Sequence, residues 1–250
     1  MLVEFRVRNF LSFSQEVVLS TVASALSELK ETNVFTQKGG GTFNLLKSLA
    51  IYGANASGKS NFLEAFRFMQ FMVLNSSKET QVGENIPVHP FVLSTETQDK
   101  PSEFEVTFLF NGARYRYGFS ADLKHINREW LYRATSSREA LLFERDNQKI
   151  EVGTLFRKEA KDCIKKTRTN ALFLSVVANF AGEIAGNITN WFQRTKYISV
   201  ENKSGYSPVI FKMLDEKVGF KEQIIQYLKL ADEGIDTIDV ETKTFEDLPR

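Results

Sequence analysis

Eight consecutive residues constrain this chain more than any others. Gly53-Ala54-Asn55-Ala56-Ser57-Gly58-Lys59-Ser60 has the spacing GxxxxGK[ST]. Each fixed position has a physical task. The glycines let the backbone curl so that successive N–H groups point at one anion. A helix opening at the loop adds its own unsatisfied N–H groups and the positive end of its dipole. In this pattern Lys59 reaches the β- and γ-phosphates, and the Ser60 hydroxyl ligates magnesium. The flanks agree with that use. Residues 48–52 form a short apolar run that reads as a buried strand. Beyond the loop, Phe62, Leu63, Phe66, Met69, Met72 and Val73 recur at helical spacing, predicting a helix over 59–74. Strand, glycine loop and helix together demand an α/β fold of the P-loop NTPase type, with ATP and Mg2+ as ligands held by residues 53–61, Asn61 included.

The rest of the chain has two different textures. At the start, Val3, Phe5 and Val7 alternate with Glu4, Arg6 and Arg8, which reads as a half-buried strand over 2–8. The turn Asn9-Phe10-Leu11-Ser12-Phe13 follows, then a second strand over 16–20. Residues 36–42, with three consecutive glycines, read as a flexible loop. Farther on, Phe104, Val106, Phe108 and Phe110 alternate up to Asn111-Gly112, and Tyr115, Tyr117 and Phe119 alternate after it. An Asn-Gly pair between alternating runs is a strong hairpin signal. With further strands at 129–133 and 141–145, it predicts an antiparallel meander from about 103 to 152. Helices are expected over 154–166 and 180–195, around an apolar segment at 171–178. Pro208 could open another helix, one more ends near Gly234, and a last strand is expected at 235–241. The expected architecture is a mixed sheet with the meander on one side and helices packed on the P-loop part, organised as 1–75, 103–152 and 154–234 without a linker between separate domains.

Composition excludes little, but usefully. One cysteine, Cys163, allows no internal disulfide framework, and two histidines leave little for a zinc site. No run approaches the roughly 18 apolar residues of a membrane span, and the first residues lack the apolar stretch of a signal peptide, so a cytoplasmic protein with no membrane partner is expected. The net charge of +1 is silent about nucleic acid, because a neutral total can hide a basic face.

The loop continues as Gly58-Lys59-Ser60-Asn61, and the Asn9–Phe13 turn lies upstream. In this it resembles the ABC-type ATPase heads of the SMC, RecF and overcoming-lysogenisation-defect groups, where such a turn sits beside the nucleotide. Leu11 departs from the basic residue usual there, and Ser12 is the position carried over as a contact. Over a longer span, the segments LLKSLAIYGANASGKSNFLEA, PSEFEVTFLFNGARYRYGF, EWLYRA, ALLFER and NALFLSVVA resemble the AAA-15 type, RloA-like ATPases of bacterial abortive-infection and PARIS-like defence systems. The resemblance implies an ABC-ATPase head and self-association through ATP sandwiched between two heads. It also implies partnership with an effector nuclease of TOPRIM-like or RloB-like type, and response to a phage trigger protein.

Hydrolysis in such heads needs a Walker B strand ending in Asp-Glu and a signature segment. Tyr227-Leu228-Lys229-Leu230-Ala231-Asp232-Glu233 mimics the first, but the helical spacing of Phe220, Ile224, Ile225 and Leu228 and a capping Gly234 make it a helix end. Residues 203–206 read as a polar turn and not a signature. The expectation is therefore the N-terminal part of a longer head that binds nucleotide, with catalytic residues unassigned. RecF- or SMC-like DNA maintenance and a non-hydrolysing, ATP-dependent scaffold are the alternatives. For the Q-loop, resemblance points to Asn179, against a plain surface amide. Lys161, Lys165, Lys166 and Arg168 form a basic cluster that could meet nucleic acid, although no aromatic residues interleave it. His89, His125 and Cys163 read as structural. Glu103 and Glu105 alternate as on a solvent-facing edge.

Overall fold

The computed structural model describes residues 1–26, 28–197, 212–214, 219–230 and 237–238. Two compact units divide the chain, 1–196 and 197–250. The expected strand at 235–241, the turn at 203–206, Pro208 and residues 231–233 fall wholly or largely outside the described residues. In the second unit α6 (Phe220–Leu230) is helical through Tyr227 and Leu230. The first four residues of the Walker B mimic thus lie in a helix.

The first unit is built on one sheet. Alternation at its start forms β1 (Leu2–Arg8), which pairs with β2 (Val17–Ser20) on one side. On its other side lies β5 (Ser102–Phe110), followed across the sheet by β6 (Ala113–Ala121), β7 (Ile126–Ala134), β8 (Ala140–Asp146) and β9 (Lys149–Val152). The seven strands run in the order β2-β1-β5-β6-β7-β8-β9, and every pairing is antiparallel. Among the described residues no parallel pair makes the sheet mixed. The Asn111-Gly112 turn has positive φ at both residues, 47° and 75°, the geometry that matches strand twist in a two-residue hairpin.

One face of this sheet is aromatic and covered. Phe5, Phe104, Phe108, Tyr117 and Phe119 are fully buried there. The helices α2 (Lys59–Asn75), α4 (Phe173–Asn179) and α5 (Glu183–Arg194) lie on it. The predicted face of α2, Phe62, Ala65, Phe68, Met69, Met72 and Val73, is buried, and Phe5 meets both Phe62 and Phe66 edge-on at 5.3 and 5.1 Å. Burying each such ring contributes on the order of 1.5–3 kcal/mol. Segment 171–178, read only as apolar, contains α4. Five of its residues, Phe173 to Val177, are buried, so no polar stripe marks a helical period.

The opposite face is polar but closely knit. Glu103 and Glu105 lie on β5, between β1 and β6 in mid-sheet and not on an edge. Glu105 accepts hydrogen bonds from Trp130 Nε1 at 2.7 Å and Arg116 at 3.1 Å. The Trp130 indole lies across Gly118, where a Cβ would overlap the ring. The polar alternation is present on β5, and pairing on both sides removes the edge.

Two further expectations change. Residues 36–42 are no flexible loop: β3 (Val34–Lys38) and β4 (Thr42–Leu46) form a hairpin, preceded by the single-turn α1 (Lys30–Asn33). Its glycines turn against the sheet, where a side chain on Gly40 (φ 61°) would run into the Ala134 carbonyl. Residues 48–52, expected as a buried strand, are exposed and pair with no strand among the described residues. Apolar character favours burial, but burial needs a neighbour, and Tyr52 is 91% exposed. The helix expected at 154–166 is α3 (Arg157–Ala160) continued by a 3-10 turn, Lys161–Lys166.

Candidate functional site

The glycine loop leads straight into α2, whose N-cap is Gly58 at φ 92°. A Cβ there would stand 2.7 Å from Ser12 Oγ and 3.1 Å from the Phe13 ring, so both the conformation and the close approach require glycine. Ala56 also adopts positive φ, 63°. Positive φ at both positions curls the loop tightly before the helix. Among the described residues, the loop N–H of Ser57 donates to Ala54 O at 3.2 Å, while those of Asn55, Ala56, Gly58, Lys59 and Ser60 have no protein acceptor. Unmatched donors at a helix start, held in a nest, are an anion seat. The Lys59 ammonium bridges Gly53 O and Ala54 O, both at 2.7 Å, so the cation lies across the mouth of the loop. Ser60 is exposed in the first turn of α2.

A cleft of about 520 Å³ opens beside the loop, between Ser57, Gly58 and Lys59 on one side and Phe13, Val17, Leu19, Leu49, Ile51 and Tyr52 on the other. Polyphosphate chemistry fits the donors, and an apolar wall stands next to them. The residues fit Mg-ATP in this respect: the free N–H groups and Lys59 suit the phosphates, and Ser60 supplies a hydroxyl for the metal. Among the described residues no cluster of His, Cys, Asp and Glu could hold a metal by itself, so such an ion depends on the phosphates. The apolar wall was missed in the sequence because residues 48–52 were expected to be buried.

The Asn9–Phe13 turn is brought against this loop. Asn61 Nδ2 donates to Ser12 Oγ at 2.9 Å, tying the first turn of α2 to the turn after β1. Asn9 and Leu11 both have positive φ, 52° and 49°, and Leu11 N donates to His89 O at 2.8 Å. Asn9 itself is a brace: its side chain donates to Thr97 O and Lys100 O and accepts from Phe91 N.

Asn179 is placed elsewhere. It donates to Ser77 Oγ at 2.5 Å, just past the C-terminal end of α2, on the order of 25 Å along the helix from Lys59. An amide there cannot touch a γ-phosphate at the loop. Arg168 is likewise committed, donating to Ser76 O, Ser77 O and Thr80 O, and so clasps the same end of α2.

One group of residues passed unnoticed in the sequence. Glu129 on β7 and Arg145 on β8 are cross-strand neighbours with fully buried side chains, 3.6 Å apart. Glu129 accepts from Tyr117 OH at 3.0 Å and from the N–H groups of Phe173 and Leu174 at 2.7 and 3.0 Å. Arg145 donates to Asn147 O and Ala171 O. Burial pushes the Glu129 carboxyl upward, against the pull of Arg145, the two N–H groups and Tyr117. The segments EWLYRA, ALLFER and NALFLSVVA thus meet at one buried joint. A carboxylate opposite a guanidinium on the inward face of a meander was the available signal.

Residues 48–225 match the family described as "AAA domain, putative AbiEii toxin, Type IV TA system". The chain belongs to this family. The match starts just before the phosphate loop and reaches into α6, so it spans the loop, the meander and the buried joint. Membership makes the chain a P-loop ATPase of the AAA type, with a link to toxin–antitoxin and abortive-infection systems, and the family's ligands are ATP and Mg2+. No curated protein matches the chain. No helix among the described residues is long and apolar enough to cross a membrane.

Proposed function

We propose that the chain binds Mg-ATP at residues 53–61 as the ATP-binding subunit of an anti-phage defence assembly, where nucleotide joins two such heads and controls an effector nuclease. The observation that carries this reading is the row of unmatched N–H groups around Lys59 at the start of α2. In the complete assembly the γ-phosphate would lie between this loop and a second head, so that ATP is itself part of the interface and hydrolysis loosens it. The loop amides and Lys59 hold the phosphates, Ser60 orients the metal, and Asn61 with Ser12 keeps the helix start in place. Bound magnesium would neutralise charge between the β- and γ-phosphates. Abortive-infection membership supports the defence setting; the nuclease, the phage trigger and the pairing of heads follow from the resemblance of the extended segments.

Lys59→Ala is the test. Isothermal titration with ATP and Mg2+ should show at least a hundredfold weaker binding, about 2.7 kcal/mol, together with loss of protection in a phage plaque assay. Unchanged affinity rejects the site. A second reading, a scaffold that holds ATP without turning it over, has its own observation: no Asp or Glu lines the cleft among the described residues. A phosphate-release assay on the assembled complex separates the two.

A further inference from the structure

The cleft beside the phosphate loop is walled on one side by four consecutive residues of β2, Val17, Val18, Leu19 and Ser20. Successive strand side chains point to opposite faces, so a cleft that touches all four lies along the edge of the strand. β2 is the last strand of its sheet and pairs with β1 alone. Register then shows which of its backbone groups are spent. Thr21 N donates to Val3 O at 2.9 Å, one position beyond the pairing of Glu4 with Ser20. Antiparallel pairs alternate between hydrogen-bonded and open. Val17 and Leu19 therefore bond to β1, while the N–H and C=O groups of Val18 and Ser20 point to the free edge. Among the described residues none of these four groups has a partner outside the sheet.

Across the cleft stand Leu49, Ile51 and Tyr52, the last 91% exposed and next to Gly53. Apart from the loop, Ser20 and Tyr52 bring the only polar side chains to this lining among the described residues. The cleft thus offers apolar surface for the face of a ring and strand backbone for its rim. Adenine presents an amino donor beside a ring-nitrogen acceptor. Guanine presents a carbonyl acceptor beside a ring N–H donor. A strand edge carries an N–H close to a C=O, so either base meets it after sliding by about one bond. Rejecting one of them takes a group of fixed polarity set against it, such as a carboxylate or amide side chain.

We propose that this site takes purine nucleoside triphosphates as a class, ATP and GTP alike. The rim of the base bonds to the Val18 and Ser20 backbone, and its face lies against Tyr52; this rests on the Mg-ATP reading of residues 53–61 and adds the base to it.

The experiment is isothermal titration of the full chain with Mg2+ and, in turn, ATP, GTP and inorganic tripolyphosphate. The two nucleotides should bind within about threefold of each other. Tripolyphosphate, which lacks the ring, should bind roughly tenfold or more weakly. Tyr52→Ala should weaken both nucleotides by about fivefold and leave tripolyphosphate unchanged. Ser20→Pro deletes one free-edge N–H without breaking a bond to β1. It should weaken both nucleotides by about fivefold, whereas Ser20→Ala, which loses only the hydroxyl, keeps their affinity. The comparison of nucleotides needs no variant, so it stands even if Ser20→Pro fails to fold. If ATP binds and GTP binds about tenfold or more weakly, this assignment falls and the phosphate seat stands. Equal affinity for tripolyphosphate, or unchanged nucleotide affinity in folded Ser20→Pro, overturns it in the same way. If neither nucleotide binds, the phosphate seat itself fails and the base site fails with it.

Discussion

The chain holds two concentrations of polar groups that obey opposite rules. Around Lys59 the loop is largely exposed, and all but one of its N–H groups from Asn55 to Ser60 lack a protein acceptor among the described residues. Around Glu129 and Arg145 the side chains are sealed from water and polar neighbours surround the pair. An unsatisfied donor is tolerable in water, and it is what an incoming anion needs. Inside a core it would cost several kcal/mol. The difference teaches that unmet hydrogen-bonding capacity marks the binding surface here, whereas completed hydrogen bonding marks the joint that holds the sheet to α4.

If that contrast is right, the two regions should respond separately to mutation. The largest effect falls on the buried joint. Glu129→Ala leaves the Arg145 guanidinium buried without its carboxylate and should cost about 3–5 kcal/mol in urea denaturation. A nearly neutral result would show that water reaches the pair and would dissolve the contrast. The double replacement Glu129→Gln, Arg145→Met should be milder than the two single changes summed. A coupling of about 1–3 kcal/mol is expected from the four-protein cycle. On the outer face, Gly118→Ala forces Trp130 off the sheet and should cost about 1–3 kcal/mol, with a red shift in tryptophan emission. At the loop the order reverses. Lys59→Ala, expected to be devastating for nucleotide, should change stability by less than about 0.5 kcal/mol, as for other surface changes. Smallest of all, Ser12→Ala removes the acceptor of Asn61 and should weaken ATP binding by about threefold at most, a fraction of a hydrogen bond's worth. A loss as large as that of Lys59→Ala would make Ser12 a direct ligand.

The same contrast explains what could be read from sequence. A phosphate loop is a local device: its residues are contiguous, so Gly53 to Ser60 announce themselves, and so does the helix that follows. The meander was legible because alternation and an Asn-Gly turn are also local. Glu129 and Arg145 are sixteen positions apart, and their meeting depends on the register between β7 and β8, which no short window displays. The glycines at 39–41 signalled looseness because composition shows backbone freedom, but not the close approach to Ala134 that uses it. Residues 48–52 misled for the complementary reason. Apolar residues state a preference for burial, and only the surroundings decide whether it is met. Resemblance and position in the chain point to Asn179 beside the nucleotide, yet its partner Ser77 lies past the far end of α2.

The Lys59 side chain carries one more consequence. Because its ammonium already holds two carbonyls of its own loop, arrival of a nucleotide is an exchange of partners and not a simple docking. A ligand presenting a single weak anion must compete with that internal tether and gains little. A triphosphate replaces both contacts and engages the waiting amides as well, so discrimination by phosphate number is built into the resting loop.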